Sequence, residues 1–306
     1  MKRLIAFFLI IFFVLADIAQ GNEIVVLKGS QNNLNDHIQK EFIQAFSRYS
    51  PSSGFKKIQP HQIQEIIVSG ENIKKIPQQI QFTRPDLILA LGTRALEAAL
   101  TVPDLPIVHL LVISPEAIVG ARPLVSGIGL IPSPLEQLEE IQRRLPEVSR
   151  IGLVYDPRQS AGFIESLSRI DSEMEFTFLV AHKSSDVQGL IRSLNGKVDL
   201  LWMLPDITVT NQKTLQSYLQ FSISNKVPLL TFSEKLLNHG ATLAITFDID
   251  QVAHRAALLA IEMLSQYQRD QVTQGKIVTP QAKTILNYKM IEKLDVSIIT
   301  DGESGD

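Results

Sequence analysis

The chain has 306 residues, 45% of them hydrophobic, a formal net charge of −3 and no cysteine. That length gives room for roughly two domains with full cores. The near-neutral, evenly spread charge excludes a nucleic-acid surface. The missing cysteine excludes disulfides, thiolate catalysis and Cys-ligated zinc.

At the N-terminus, Lys2 and Arg3 precede the apolar run LIAFFLIIFFVLA (residues 4–16), and Ala19 and Gly21 place small residues at the two positions a signal peptidase reads. This is the order of a secretory signal. The run is shorter than the ~20 residues of a membrane span, which favours cleavage near Gly21 over a retained anchor. The expected mature protein is periplasmic. It is expected to carry no lipid, because no cysteine follows the apolar run.

Strand-like and helix-like segments then alternate. EIVVLK (23–28) reads as a strand, and NDHIQKEFIQAF (35–46) as a helix with Ile38, Phe42, Ile43 and Phe46 at helical spacing. IQEIIV (63–68), DLILAL (86–91) and PIVHLLV (106–112) read as strands, with a short helix around Pro77 and another beginning at Thr93. After a Pro- and Gly-bearing stretch at 122–134, LEQLEEIQRRL is a helix. RIGLVY, EFTFLVA, DLLWML, VPLLTF and ATLAITF are strands with helices between them. A long helix, DQVAHRAALLAIEMLSQY, precedes a closing strand and helix, TILNY and KMIEKL.

Apolar strands alternating with helices imply parallel sheets covered on both faces. The expected fold class is α/β, with two doubly wound parallel-sheet lobes joined by a hinge. Residues 1–21 are the expected signal peptide. Lobe 1 takes 22–127 plus 248–275, lobe 2 takes 128–247 plus 276–300, and 301–306 form a disordered tail. The hinge is expected at 127–132 and 247–250.

In open parallel sheets ligands gather past the carboxyl ends of the strands, where helix N-termini offer free N–H groups. The residues just past the strands are therefore the candidates. In the first half these are Gly29-Ser30, Ser69-Gly70, Gly92-Thr93 and Ser114-Pro115. In the second half they are Tyr155-Asp156-Pro157, His182-Lys183, Pro205-Asp206 with Thr208, Ser233-Glu234, and Asp248 after the return strand. Glycine permits close backbone approach, and threonine caps a helix while still showing its hydroxyl. If two such rims face each other they make a cleft for a small ligand. Ligand binding is thus expected of Ser30, Gly92, Thr93, Ser114, Tyr155, Asp156, Asp206, Thr208, Ser233 and Asp248. Thr93 would receive a carboxylate, and Asp206 and Asp248 an ammonium group. Trp202 either lines this cleft or fills the core.

No G-x-S-x-G, H-E-x-x-H or G-x-x-x-x-G-K-[ST] motif occurs. Gly127–Gly129 lacks the third glycine of a dinucleotide loop and reads as an interdomain crossing. His109, inside an apolar strand, and His254, on an amphipathic helix, read as structural. Asp36 and His37 read as solvated. No catalytic residue, metal ligand or cofactor is expected, and no enzyme activity.

Several segments, in this order, resemble ABC transporter substrate-binding proteins of the tryptophan/tyrosine-uptake type, with the type I periplasmic binding fold. They are RPDLILALGTRALEAAL, LPIVHLLVISPEAIVG, VSGIGLIPSPLEQLEEIQRRLPEVSRIGLVYDP, GKVDLLWMLPDITV, NKVPLLTFSEKLLNHGA and ILNYKMIEKLDV. The resemblance implies a ligand held between two closing lobes, and a membrane permease with an ATPase as partners. Gly92-Thr93, Asp206 with Thr208, and Asp248 match the family's pattern. Ile113-Ser114-Pro115 stands where the family has T-D-P, and Asp156-Pro157 where it has N-P. An acid near Ser233 is missing unless Glu234 substitutes, Thr246 replaces a glycine, and no histidine-proline follows the first strand. A divergent, monomeric member that binds an aromatic or aliphatic amino acid is expected. The alternative is an extracytoplasmic sensory or accessory binding protein of the same fold with altered or lost ligand specificity. A DNA-binding regulator is disfavoured by the N-terminal signal and by the lack of a helix-turn-helix before the first strand.

Overall fold

The computed structural model describes residues 23–54, 62–269, 271 and 274–300. The expected signal segment and the tail 301–306 lie outside the described residues.

The described residues divide into two compact units. The first draws on the described residues within 23–110, 121–127 and 253–276, and the second on those within 111–120, 128–252 and 277–300. The first half of the chain contributes strands β1 (Ile24–Lys28), β2 (Ile63–Ile67), β3 (Leu87–Leu91), β4 (Ile107–Val112) and β5 (Val125–Gly129). Its helices are α1 (Asn33–Tyr49), α2 (Ile76–Thr83), α3 (Thr93–Ala99) and α4 (Pro115–Val119). The second half contributes α5 (Pro134–Arg144), β6 (Arg150–Tyr155), α6 (Pro157–Ser168), β7 (Glu175–Val180), α7 (Ser184–Ser193), β8 (Leu200–Trp202) and α8 (Gln212–Asn225). It continues through β9 (Leu229–Thr231), α9 (Glu234–Leu237), β10 (Leu243–Thr246), α10 (Ile249–Gln268), β11 (Ile277–Val278), β12 (Lys283–Leu286) and α11 (Tyr288–Leu294).

Two six-stranded sheets result, ordered β11-β5-β4-β3-β1-β2 and β12-β10-β9-β8-β6-β7. Both follow the doubly wound order 2-1-3-4-5 with one added edge strand. The winding therefore reverses between β1 and β3 in the first sheet and between β6 and β8 in the second. The pairs β1–β2, β1–β3, β6–β7 and β6–β8 are parallel, whereas β12 runs antiparallel to β10.

The second sheet shows why its strands read as unbroken apolar runs. Val154, Leu201, Met203, Leu229 and Ala244 belong to one buried cluster, and Leu153, Leu200, Trp202, Leu230 and Leu243 to another. Successive residues of a strand point to opposite faces, and both faces here are covered. Trp202 is 1% exposed and meets Phe163 edge-on at 5.6 Å, so it fills the core.

Local sequence sets the helix starts. Asn32 accepts the Asn35 N–H ahead of α1, whose Ile38, Phe42 and Phe46 are buried. Ser133 and Glu136 form a reciprocal capping box at α5, with Pro134 in its first turn. On α10, Ala253, Ala256, Ala257, Ala260 and Leu264 form a buried stripe at helical spacing.

The stretch read as a crossing does pass from one unit to the other, between Gly127 and Ile128, and it is also a strand. Val125–Gly129 is a wholly buried strand, β5, beside β4. Gly127 is required there because a Cβ would collide with the carbonyl oxygen and ring of His109 on β4. Asp36, read as solvated, pairs with the buried Lys28 at 2.7 Å, and Glu65 takes the same ammonium at 2.9 Å. Among the described residues, no helix is long and apolar enough to cross a membrane.

Candidate ligand-binding rims

In the first unit the switch point is built from two short turns. Lys28 and Leu91 are the last paired residues of β1 and β3. Past them, the Gly29 N–H donates to the Leu91 carbonyl at 3.0 Å, and the Gly92 N–H to the Leu110 carbonyl at 2.9 Å. Gly92 has φ +91°, a conformation that favours glycine, and it leads straight into α3. A Cβ on Gly29 would lie 3.5 Å from the Arg94 Cβ and 3.6 Å from the Ala95 nitrogen, so the two turns are closely apposed. Ser30 and Thr93 are both exposed. The Ser30 carbonyl is fixed by Asn35 Nδ2 at 2.6 Å, and its hydroxyl accepts from Asn32 Nδ2 at 2.9 Å. The structure thus brings Ser30, Gly92 and Thr93 to one edge.

Ser114 behaves differently. It sits at φ +48° ahead of α4 and makes no side-chain cap. Its Oγ lies 3.5 Å from the place a Gly162 Cβ would occupy. It borders a groove of about 660 Å³ in the second unit, lined also by Pro115, Ile131, Pro132 and Phe163.

The second switch point is a buried polar network. Asp156 follows β6 and caps α6. Its Oδ1 accepts from the Arg158 N–H and Nε, both at 3.0 Å. Its Oδ2 accepts from Arg158 Nη2 at 2.5 Å and from the Thr208 hydroxyl at 2.7 Å. The Asp156 N–H donates to Asp206 Oδ2 at 2.8 Å, and that oxygen also takes the Ser160 hydroxyl at 3.0 Å. Asp206 Oδ1 accepts the N–H groups of Thr208 at 2.9 Å and Val209 at 3.4 Å. Asp156 is 0% exposed and Asp206 1%. The Arg158 side chain, then the Thr208 hydroxyl and the Arg158 N–H, hold the Asp156 carboxyl well below the usual range against its desolvation. Both carboxylates are thus engaged by protein donors. The four donors on Asp206 stand where the sequence reading placed a ligand ammonium group.

Arg158 was missed from the sequence. The available signal was Asp-Pro-Arg at a strand end, which lets a guanidinium in the first helical turn fold back onto the capping carboxylate. Tyr155 is half-buried against the core. Ser233 is half-buried ahead of α9 and makes no side-chain cap. Asp248 is half-buried, and its Oδ1 accepts the Gln251 N–H at 3.0 Å. Ser233 and Asp248 follow the neighbouring strands β9 and β10.

A family model described as ABC transporter substrate binding protein matches residues 52–301. The chain belongs to this family. A tyrosine-binding protein of Clostridioides difficile is 28% identical over 192 residues, a match that spans 59% of this chain and 55% of that relative. Among solved structures, a substrate binding protein with adhesive properties from Clostridium difficile, ligand-free and open, matches with TM-score 0.70 at 20% identity. That match covers 92% of this chain and 97% of the other. An ABC domain from Streptococcus pneumonia in complex with L-Trp matches with TM-score 0.64 at 16% identity, covering 92% and 97%. The branched-chain amino acid transporter substrate binding protein LivJ of Streptococcus pneumoniae matches with TM-score 0.60 at 10% identity, covering 87% and 96%. These structures share the α/β fold of two parallel-dominated sheets. Family membership makes this a substrate-binding protein.

Proposed function

We propose that this family member is the periplasmic solute-binding component of an ABC importer, monomeric and free of cofactors. It takes an amino acid between the rims of its two units and closes on it by hinge motion. A ligand that binds the closed form better shifts the population towards it, and a permease with its ATPase reads that form.

The observation that carries this reading is the pair of switch-point rims, one in each doubly wound unit. In the first rim, Ser30, Gly92 and Thr93 contact the ligand. In the second, Tyr155, Ser233 and Asp248 contact it, with Ser114 nearby, and Asp248 receives the ammonium group. Asp156, Asp206 and Thr208 shape the second rim from within. The amino-acid assignment draws on relatives described as binding tyrosine and tryptophan. Calorimetry of the mature protein against the common amino acids tests it. The expected result is saturable heat with at least one, accompanied by a smaller radius of gyration in small-angle scattering. No heat with any of them sinks the amino-acid reading.

The altered rim, with Ile113-Ser114 and the internally paired Asp156, favours a second reading as a sensory or accessory binding protein. Uptake by vesicles holding the cognate permease separates the two. A protein that binds ligand yet never stimulates uptake is the sensor.

A further inference from the structure

The second unit carries a cation at its rim that is fixed in place but not used up. Arg158 Nε and Nη2 are locked onto Asp156 at 3.0 and 2.5 Å, and Nη2 also donates to the His182 carbonyl at 2.7 Å. Asp156 is itself immobilised by Thr208 and, through its N–H, by Asp206. The guanidinium is therefore a planar fork held at three points on a buried frame. Its remaining nitrogen, Nη1, donates to no protein group among the described residues, although 67% of the side chain is exposed. Lys183, next after His182, adds a second exposed cation to the same edge.

An ordinary surface arginine is mobile and binds weakly because ordering it costs side-chain entropy. Here that ordering is already complete, so an incoming anion meets a pre-oriented donor. The position also counts. Arg158 follows β6, one of the two strands at which the second sheet reverses its winding, the place where such sheets bind ligands.

The geometry points to Arg158 as the specificity-determining residue of the second unit, a receptor for a carboxylate on the ligand. This rests on the reading of the protein as a small-ligand binder. It also deepens that reading, because the sequence expectation placed the carboxylate on Thr93 and the ammonium group on Asp206 and Asp248. Arg158 takes the carboxylate instead of Thr93, and of the two expected acids Asp248, on the same unit and not filled by side-chain donors, keeps the ammonium group.

The test compares acids with their amides, so that charge is the variable. Calorimetry of the mature protein would use L-tyrosine with L-tyrosinamide, L-tryptophan with L-tryptophanamide, L-leucine with L-leucinamide, and succinate with succinamide. The proteins are the wild type, Arg158→Gln and Arg158→Lys, each checked for folding by circular dichroism. The wild type should prefer an acid to its amide by about tenfold or more, the scale of one charge-assisted hydrogen bond. Arg158→Gln should erase that preference while keeping amide affinity, and Arg158→Lys should recover part of it. If the Gln variant does not fold, the Lys variant carries the comparison, and an acid preference reduced at least about threefold supports the inference. Equal weakening of acid and amide, or an unchanged preference, overturns the inference and leaves the small-ligand reading standing. So does a wild type that binds amides as well as acids. A wild type that binds none of the eight compounds overturns both.

Discussion

Asp206 accepts the backbone N–H of Asp156 at 2.8 Å, tying together the two strand ends between which the second sheet reverses its winding. The same oxygen takes the Ser160 hydroxyl, and the other takes two loop N–H groups. Asp206→Asn would turn an amide NH2 towards donors and leave part of a buried network unpaired. We expect it to lower stability by about 2–4 kcal/mol. Urea denaturation checks this. A loss under about 0.5 kcal/mol, the scale of a surface substitution, would show that the network is not structural.

His109 is wholly buried on β4, and among the described residues neither ring nitrogen has a hydrogen-bond partner. Burial pushes its pKa down to about 4. An unfolded histidine titrates near ~6.5, so between the two values the unfolded chain binds more protons and stability falls as pH falls. Above pH ~6.5 both states are neutral and the effect vanishes. Moving from pH 7.5 to 4.5 should cost about 2–3 kcal/mol through this residue alone. His109→Leu should remove that part of the pH dependence. At pH 7.5 it should be neutral or slightly stabilising, since it deletes two unsatisfied atoms. Paired urea melts at the two pH values decide the matter, and equal pH slopes for variant and wild type would refute it.

Gly127 and Gly129 share one strand yet should respond unequally to alanine. A Cβ at Gly127 strikes the His109 backbone and ring, whereas at Gly129 the nearest atom is 3.7 Å away. Gly127→Ala should cost about 2 kcal/mol or more by overpacking, and Gly129→Ala less than about 1 kcal/mol. Thermal melts of the two variants side by side give the comparison, and similar melting temperatures would contradict it.

These contrasts mark where the sequence was legible. Runs such as LILAL and RIGLVY could only be strands buried on both faces, and the helices between them forced parallel pairing. VSGIG failed that reading because two glycines in five residues look like a turn. The reason for Gly127 lies on another strand, in His109. Ile277–Val278 is too short to carry any periodicity. Trp202 was ambiguous because strand parity assigns a face, and here both faces are core. At the rims, strand ends located the positions but not the direction of each side chain. Asp156 and Asp206 turn inward because Arg158, Ser160, Thr208 and Val209 supply donors that only the folded loops assemble.

Stability and binding should separate cleanly between Thr93 and Trp202. Thr93 is exposed at the end of β3, and among the described residues no protein group accepts or donates a hydrogen bond at its hydroxyl. Thr93→Val should therefore leave the unfolding free energy within about 0.5 kcal/mol. If the hydroxyl meets the ligand, affinity should fall by about fivefold to tenfold, the scale of one neutral hydrogen bond. Trp202→Ala opens a hole against Phe163 in the core and should cost about 3–5 kcal/mol. The milder Trp202→Leu should stay folded and bind ligand with near wild-type affinity, because the ring lies in the core rather than at the rim. Calorimetry on folded Thr93→Val and Trp202→Leu, with any amino acid the wild type binds, reads both expectations together. Wild-type affinity in the Thr93 variant alongside a large loss in the Trp202 variant would mean the ligand sits elsewhere.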